Sequence, residues 1–119
     1  MSNAKNWCFT LNNYTADDLE FYDNLCEKIP LEISYLVIGK EIGESGTIHL
    51  QGFIQLVKKK RFAQVKILLG GRCHLESMLP NSTAFAASTY CKKDNDYKEW
   101  GQLQNKGINW NFIQLFITQ

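Results

Sequence analysis

Several features that would assign a function at once are missing from this sequence of 119 residues. No apolar run approaches the roughly 20 residues of a membrane-spanning helix. None of the four cysteines forms a C-x-x-C pair, which disfavours a zinc site, and without a secretory signal we expect them to stay reduced. No G-x-x-x-x-G-K-[ST] loop occurs, so this segment is not an ATPase of that type. The composition, 45% hydrophobic and 21% charged, is that of an ordinary globular domain.

Net charge is also small, at +1, but the charges are unevenly distributed. Acidic residues concentrate in the region 15–32, whereas Lys58, Lys59, Lys60 and Arg61 form a continuous basic block. Such asymmetry can produce one basic face while the total charge stays near zero. The block is therefore either a solvated surface, the commoner case, or a face that contacts nucleic-acid phosphates.

Alternating apolar residues, helical spacing and turn signals predict eight elements. The predicted strands are 6–12, 33–41, 47–57, 72–78 and 97–101, and the predicted helices are 15–28, 61–69 and 82–92. This order indicates an α+β fold, a central antiparallel sheet of about five strands with helices packed on one face. We expect this domain to span 6–104, and 105–119 to be a linker or the start of a following region.

The strand predicted over 47–57 has two chemically different faces. Its apolar face is formed by Ile48, Leu50, Gly52, Ile54 and Leu56. On the other face His49 and Gln51 lie about 6–7 Å apart, and Glu41 could reach them from the preceding strand. An imidazole, an amide oxygen and a carboxylate suit Mn²⁺ or Mg²⁺ with retained waters. The alternative is an ordinary polar sheet surface.

A second pair of interest, Tyr90 and Lys93, shares a face of the last predicted helix. A tyrosine hydroxyl has a pKa near 10 and is a weak nucleophile unless it is activated. A nearby ammonium group would favour the phenolate and offset the charge of a phosphate under attack. The alternative is an amphipathic tyrosine at the edge of the core, beside solvated lysines.

Further candidate nucleic-acid contacts lie on two strands. Phe9, Thr10, Asn12 and Asn13 belong to the first strand and the turn that ends it, and the alternative is a strand without such a role. Phe53 shares the face of His49 and would either stack on a base or shield the site.

Together these segments resemble a known family. W-C-F-T-L-N-N at 7–13, H-L-Q-G-F at 49–53 and Y-C-K-K at 90–93 are similar to the three motifs of viral rolling-circle replication initiators. These are the Rep proteins of circular single-stranded DNA viruses, in the circovirus and nanovirus group of the HUH endonuclease superfamily. The resemblance extends over residues 6–101 and includes V-I-G-K-E at 37–41 and G-G-R-C-H-L-E at 70–76.

This resemblance implies a role for each matching residue. Tyr90 matches the nucleophile and Lys93 the lysine of the third motif. His49 and Gln51 match the metal ligands of the second motif, and Glu41 matches the acidic ligand before it. Gln51 stands where the superfamily has a second histidine, a departure that is usual in this viral group. The segment 8–13 matches the first motif, which is implicated in DNA recognition.

The resemblance also implies an activity and its setting. The expected substrate is single-stranded origin DNA carrying a nonanucleotide in a stem-loop, which is nicked through a covalent 5′-phosphotyrosine intermediate and later rejoined. Relatives act in the host nucleus and carry a following helicase region, through which the full-length protein would oligomerise. The domain alone is expected to be monomeric.

Two alternatives remain open at this point. One is a non-catalytic module that binds single-stranded nucleic acid by stacking bases on Trp7, Phe9 and Phe53, as RNA-recognition domains do. The other is a captured domain of the same family that now has a structural role. The first alternative does not need His49, Gln51 and Tyr90 together.

Overall fold

A computed structural model describes residues 3–78 and 81–104 and contains the predicted order of elements. The strands are β1 Asn3–Asn12, β2 Ile33–Ile42, β3 Ile48–Arg61, β4 His74–Ser77 and β5 Tyr97–Gly101. The helices are α1 Ala16–Asn24, which continues into a 3₁₀ turn at Leu25–Lys28, α2 Phe62–Leu68 and α3 Ala84–Cys91. No helix in the described ranges is long and apolar enough to cross a membrane. The linker predicted at 105–119 lies outside the described residues.

The five strands form one antiparallel sheet in the order β4-β1-β3-β2-β5. This confirms the predicted α+β class and the five-stranded sheet. Because β3 lies in the centre, it pairs with β1 on one side and β2 on the other. The central position brings the residues around His49 close to side chains from both neighbouring strands.

One face of the sheet is closed by α1 and α2. The predicted apolar positions of β3 lie here, and Leu50, Ile54 and Leu56 are buried as expected. A glycine is required at Gly52 because a Cβ there would lie 2.1 Å from the Phe9 ring. Thr15 caps the N-terminus of α1, and its side chain and that of Asp18 form a capping box.

The other face of the sheet is partly covered by α3, whereas the sequence placed all helices on one face. A second buried cluster forms there from Tyr35, Val37, Phe53, Ala84 and Cys91. The buried positions of α3 carry small side chains, which let the helix approach the sheet closely. The sheet therefore has helices on both faces, and the end of this face near His49 stays polar.

Strand β3 also extends four residues beyond the predicted boundary, through the basic block. Its far end pairs with the start of β1, with Arg61 opposite Asn3 and Lys60 opposite Ala4. Between these pairs and the next, Asn6 with Gln55, the register shifts because β3 contains extra residues. The basic block therefore lies in an irregular ribbon at the opposite end of β3 from His49.

Candidate active site

The register between β2 and β3 places Glu41 directly opposite His49. Glu41 Oε1 and His49 Nε2 are 2.9 Å apart, within hydrogen-bonding distance. Only 8% of Glu41 is exposed, so its carboxylate has little access to water. A carboxylate in such a position requires hydrogen-bonding or cationic partners, and His49 is the first of these.

Lys93 is the second partner of this carboxylate. It follows the end of α3, and its ammonium group contacts Glu41 Oε2. Burial lowers the pKa of Lys93, but the contact with Glu41 outweighs this effect and the net pKa is raised. Lys93 is therefore cationic at neutral pH. Sequence reasoning missed this pairing because no local pattern links residues 52 positions apart.

The same lysine lies against the candidate nucleophile. Lys93 Nζ is 3.8 Å from the centroid of the Tyr90 ring, a close cation–π contact. The two residues are neighbours, as predicted, but they do not share a helix face, because α3 ends at Cys91 and Lys93 lies beyond it. Tyr90 is 55% exposed, so a polymeric substrate has access to its side chain.

A glycine in β2 allows α3 to bring these residues to the sheet. A Cβ at Gly39 would lie 1.9 Å from the carbonyl oxygen of Cys91, the last residue of α3. Burial, reinforced by Cys8 and Glu41, raises the pKa of the Cys91 thiol to about 12, so it is neutral at ordinary pH. Sequence reasoning did not single out Gly39, although a glycine inside a strand often marks such a close backbone approach.

Gln51 lies on the same face of β3 as His49 and is held by β1. The hydroxyl of Thr10 donates a hydrogen bond of 3.3 Å to Gln51 Oε1, consistent with their opposite positions in the register. Gln51 and Tyr90 line one cleft between the sheet and α3, which has a volume of about 270 Å³. The strand residue and the helix tyrosine therefore border a common space.

The end of β1 forms the rim of this polar region. Asn12 is exposed and lies opposite His49 in the register, and Asn13 follows with a positive φ of 55°. Thr10, Asn12 and Asn13, which were predicted to contact DNA, therefore lie at the polar end of the sheet.

Two other predicted DNA contacts are corrected. Phe9 is 1% exposed and packs on the opposite face, with its ring 5.6 Å from that of Tyr22. Phe53 is on the predicted face but is fully buried, because α3 covers it. Trp7, considered for a binding module, is also buried. Bases therefore cannot stack on these rings in this conformation.

The basic block, in which only Lys60 is half-buried, is far from Glu41 and His49. Lys60 lies opposite Ala4 of β1 and Gln51 lies opposite Thr10, and these six residues of β1 correspond to roughly 20 Å. Among the residues that the structure describes, Lys58, Lys59, Lys60 and Arg61 take part in no ion pair. Any phosphate contact they make is therefore well separated from the Tyr90 side chain.

The chemistry of the donor set fits a hard divalent ion. Glu41 and His49 supply a carboxylate and an imidazole, and Gln51 adds an amide oxygen on the same face of β3. Such mixed oxygen and nitrogen donors suit Mn²⁺ or Mg²⁺. The described residues contain no cluster of three or more His, Cys, Asp or Glu side chains that could hold a metal. An ion here would thus depend on Gln51 and would replace the hydrogen bond between Glu41 and His49.

Over most of its length this chain is similar in sequence to known viral proteins. A family model described as "Putative viral replication protein" matches residues 4–94. The replication-associated protein of Canary circovirus is 44% identical over 93 residues, covering 78% of this chain and 30% of the relative. That of Beak and feather disease virus is 40% identical over 95 residues, covering 80% of this chain and 31% of the relative.

A protein named Para-Rep C1, from Faba bean necrotic yellows C11 alphasatellite, is also similar. It is 35% identical over 117 residues, covering 98% of this chain and 40% of the relative. The chain thus spans between 30% and 40% of the length of these curated relatives. The matches concern one part of longer proteins.

Proposed function

Because this chain belongs to the family of viral replication proteins, we propose that it is a metal-dependent endonuclease domain that nicks single-stranded DNA at a replication origin. The observation that carries this proposal is the convergence of three parts of the chain. Exposed Tyr90, cationic Lys93 and the Glu41–His49 pair meet at one end of the sheet. The proposed substrate is a nonanucleotide in an origin stem-loop, cut in the host nucleus, by a domain that is monomeric on its own.

The proposed step is an in-line displacement at phosphorus. The Tyr90 oxygen forms a bond to phosphorus and gives up its proton, while the bond from phosphorus to the 3′ oxygen breaks. The departing 3′ oxygen takes up a proton and becomes a free hydroxyl. The 5′ phosphate stays on Tyr90 as an ester. Since one phosphate ester replaces another, a later 3′-hydroxyl can reverse the step and rejoin DNA without ATP.

Lys93 and Glu41 act together in this proposal. The ammonium group over the Tyr90 ring lies where it can offset the negative charge that is shared by the attacking oxygen and the phosphate during the displacement. Glu41 keeps Lys93 protonated and near the ring, because its carboxylate is buried and accepts that contact. A merely polar surface would not need a buried carboxylate with two partners.

Glu41, His49 and Gln51 would hold Mn²⁺ or Mg²⁺, which supplies Lewis-acid polarisation of a phosphate oxygen when bound. Thr10 holds the Gln51 amide through its hydroxyl, which limits the orientations of the amide oxygen. His49 lies between the exposed Asn12 and the buried Glu41 in the sheet, so it can face the substrate while one side stays anchored.

The rival proposal, a module that stacks bases on sheet aromatics, loses its main support. Trp7, Phe9 and Phe53 are each no more than 3% exposed. A stacking platform needs exposed rings, since the base must cover an accessible face. The polar end of the sheet instead offers a histidine, an amide and an exposed tyrosine.

A nicking assay on a labelled single-stranded oligonucleotide tests the proposal. Wild type, Tyr90→Phe and Tyr97→Phe would be incubated with Mn²⁺, Mg²⁺ or EDTA. Tyr97 is a matched control because it is partly exposed and also lies near a lysine, 5.6 Å from Lys92 Nζ. We expect a metal-dependent cut and a covalent protein–DNA band from wild type and Tyr97→Phe, and neither from Tyr90→Phe.

A single oligonucleotide could remain uncut only because it lacks the target sequence of this domain. A randomised pool would be run beside the family-type nonanucleotide, so that an unfamiliar target sequence is still cut. Cutting that survives Tyr90→Phe would overturn the role of Tyr90. Binding from the pool without any covalent band would overturn the proposed chemistry.

A further inference from the structure

The cleft that Tyr90 and Gln51 share has a composition unlike that of a phosphate site. Its walls are largely apolar and come from α3, β1 and the end of β4, through Ala86, Ala87, Cys8 and Met78. Among the described residues no basic side chain lines it, although Lys92 and Lys93 lie close by in the chain. A polyanion would therefore be poorly compensated inside the cleft.

The polar groups of the cleft also favour a base over a phosphate. Glu76 lines it and is opposite Cys8 in the sheet register, so a carboxylate lies at its edge. A carboxylate repels a phosphate, whereas it accepts hydrogen bonds from the amino and imino groups of bases. Ser77 and Ser82 add hydroxyl groups, which donate and accept. This chemistry favours a neutral, planar, polar-edged group.

The volume of the cleft also limits the size of the group that it can hold. At about 270 Å³ the cleft lies near the lower end of the range for small-molecule sites, about 300 Å³. Such a space admits one ring system with its edge groups, but not a stack of two nucleotides. Because Tyr90 borders the cleft, a ring inserted there would belong to a nucleotide next to the phosphate that Tyr90 attacks.

We infer that one base beside the scissile phosphate unstacks and inserts into the cleft between α3, β1 and β4. This inference rests on the proposed function, since it identifies the cut position by its distance from Tyr90. The inserted base anchors the strand and sets the phosphate at the tyrosine, while the cations and polar groups at the end of the sheet receive the backbone. Sequence preference at that nucleotide arises from the cleft rather than from stacking on sheet aromatics.

Filling the cleft tests this inference. Ala86 is exposed on α3, so Ala86→Leu places a larger side chain over the cleft without changing the core. Ala63→Leu is the matched control, an exposed alanine of α2 on the other side of the sheet. Both changes would be made in the Tyr90→Phe background, and binding of a fluorescent oligonucleotide would be measured by anisotropy. The oligonucleotide would be one selected from the randomised pool by binding.

An abasic scan supplies the decisive readout. One nucleotide at a time is replaced by an abasic residue, and each version is titrated against both variants. We expect Ala86→Leu to weaken binding of the intact strand about tenfold. At one position next to the cut, removal of the base should restore binding to Ala86→Leu while weakening it for the Ala63→Leu control. Such coupling between two changes identifies a direct contact.

Other outcomes are equally clear. If Ala86→Leu weakens every abasic version by the same factor, or weakens none, no base occupies the cleft. Thermal unfolding monitored by circular dichroism would show whether both leucine variants are folded, and Ser82→Leu offers a second way to fill the cleft. Because binding is measured without cutting, a failure of the nicking chemistry would leave this result readable.

Discussion

Two histidine–glutamate pairs in this domain have nearly the same geometry in very different surroundings. His49 and Glu41 are 2.9 Å apart, and His74 and Glu76 are 3.0 Å apart. The side chains of the first pair are 19% and 7% exposed, and those of the second are 72% and 70% exposed. Glu41 also contacts Lys93, whereas the described residues provide Glu76 with no lysine or arginine partner. A short histidine–glutamate distance alone therefore does not mark an active site.

The difference follows from the position of each pair in the sheet. His74 and Glu76 belong to β4, a four-residue edge strand, where water competes for both partners. Exposed pairs of this kind contribute about 0–1 kcal/mol. Glu41 and His49 lie on the two inner strands β2 and β3, where removing a partner leaves a buried charge and costs more. The buried pair is held in place by its surroundings, which the proposed catalytic role requires.

The largest effect should separate the two histidines. We expect His49→Ala to reduce the nicking rate by at least about 100-fold. Mutating a residue that only hydrogen-bonds to a metal ligand typically costs about 10–100-fold in metal affinity or activity, and His49 is itself a proposed ligand. His74→Ala should change the rate at saturating DNA by less than about threefold, because exposed His74 lies outside both the Glu41–His49 site and the residues that line the cleft. Initial rates would be measured over a Mn²⁺ titration. Equal losses in the two variants would show that burial does not distinguish the pairs.

A smaller but still severe effect is expected at Gly39, which allows α3 to lie over β2. Gly39→Ala puts a methyl group against the Cys91 carbonyl and should destabilise the domain by about 1–3 kcal/mol. Displacing Tyr90 by roughly 1 Å should also slow nicking, by up to about 100-fold. Gly43→Ala is the control, because its Cβ would meet only Thr47 O at 3.6 Å. Thermal unfolding and nicking rates check both effects.

These two quantities also test how the helix contributes. If Gly39→Ala unfolds at the temperature of Gly43→Ala and cuts equally fast, α3 does not depend on the glycine. Reduced stability with an unchanged cutting rate would show that the position of Tyr90 tolerates the shift. Either result would weaken the distinction between the Glu41–His49 pair, which lies close to α3, and the His74–Glu76 pair on the edge strand β4.

The faces of β3 were predictable because strand side chains alternate strictly. The apolar side chains at even-numbered positions from Leu50 to Leu56 are buried between the sheet and helices α1 and α2. His49 and Gln51 face the other way, as the pattern indicates. Alternation does not tell whether a face is covered by another element. Phe53 illustrates this limit, since its face was predicted correctly but its burial depends on α3.

Long-range pairings were not predictable for a related reason. Lys93 and Glu41 are brought together only when α3 docks on the sheet, and the small residues of α3 give no strong signal for a face. The family motifs predicted roles for Tyr90, Lys93, Glu41, His49 and Gln51 by position, without describing their environment. The distance between the basic block and Gln51 likewise required knowing that β3 continues through Lys58 to Arg61.

The smallest effect should come from this basic block, at the other end of β3 from His49. Changing Lys58, Lys59 and Lys60 to glutamine should weaken single-stranded DNA binding severalfold in low salt. The slope of log K against log salt should become less steep by about 0.7 for each phosphate that the variant no longer neutralises.

The nicking rate at saturating DNA should stay within about twofold of wild type, because the far end of the block, at Lys60, is roughly 20 Å from Gln51, measured along β1. Lys28→Gln, which removes a lysine paired with Glu32, is the single-charge control. Affinity that is equally weakened in high salt would show that the lysines make more than screened contacts. A large fall in the saturated rate would instead mean that the two ends of β3 act on the same step.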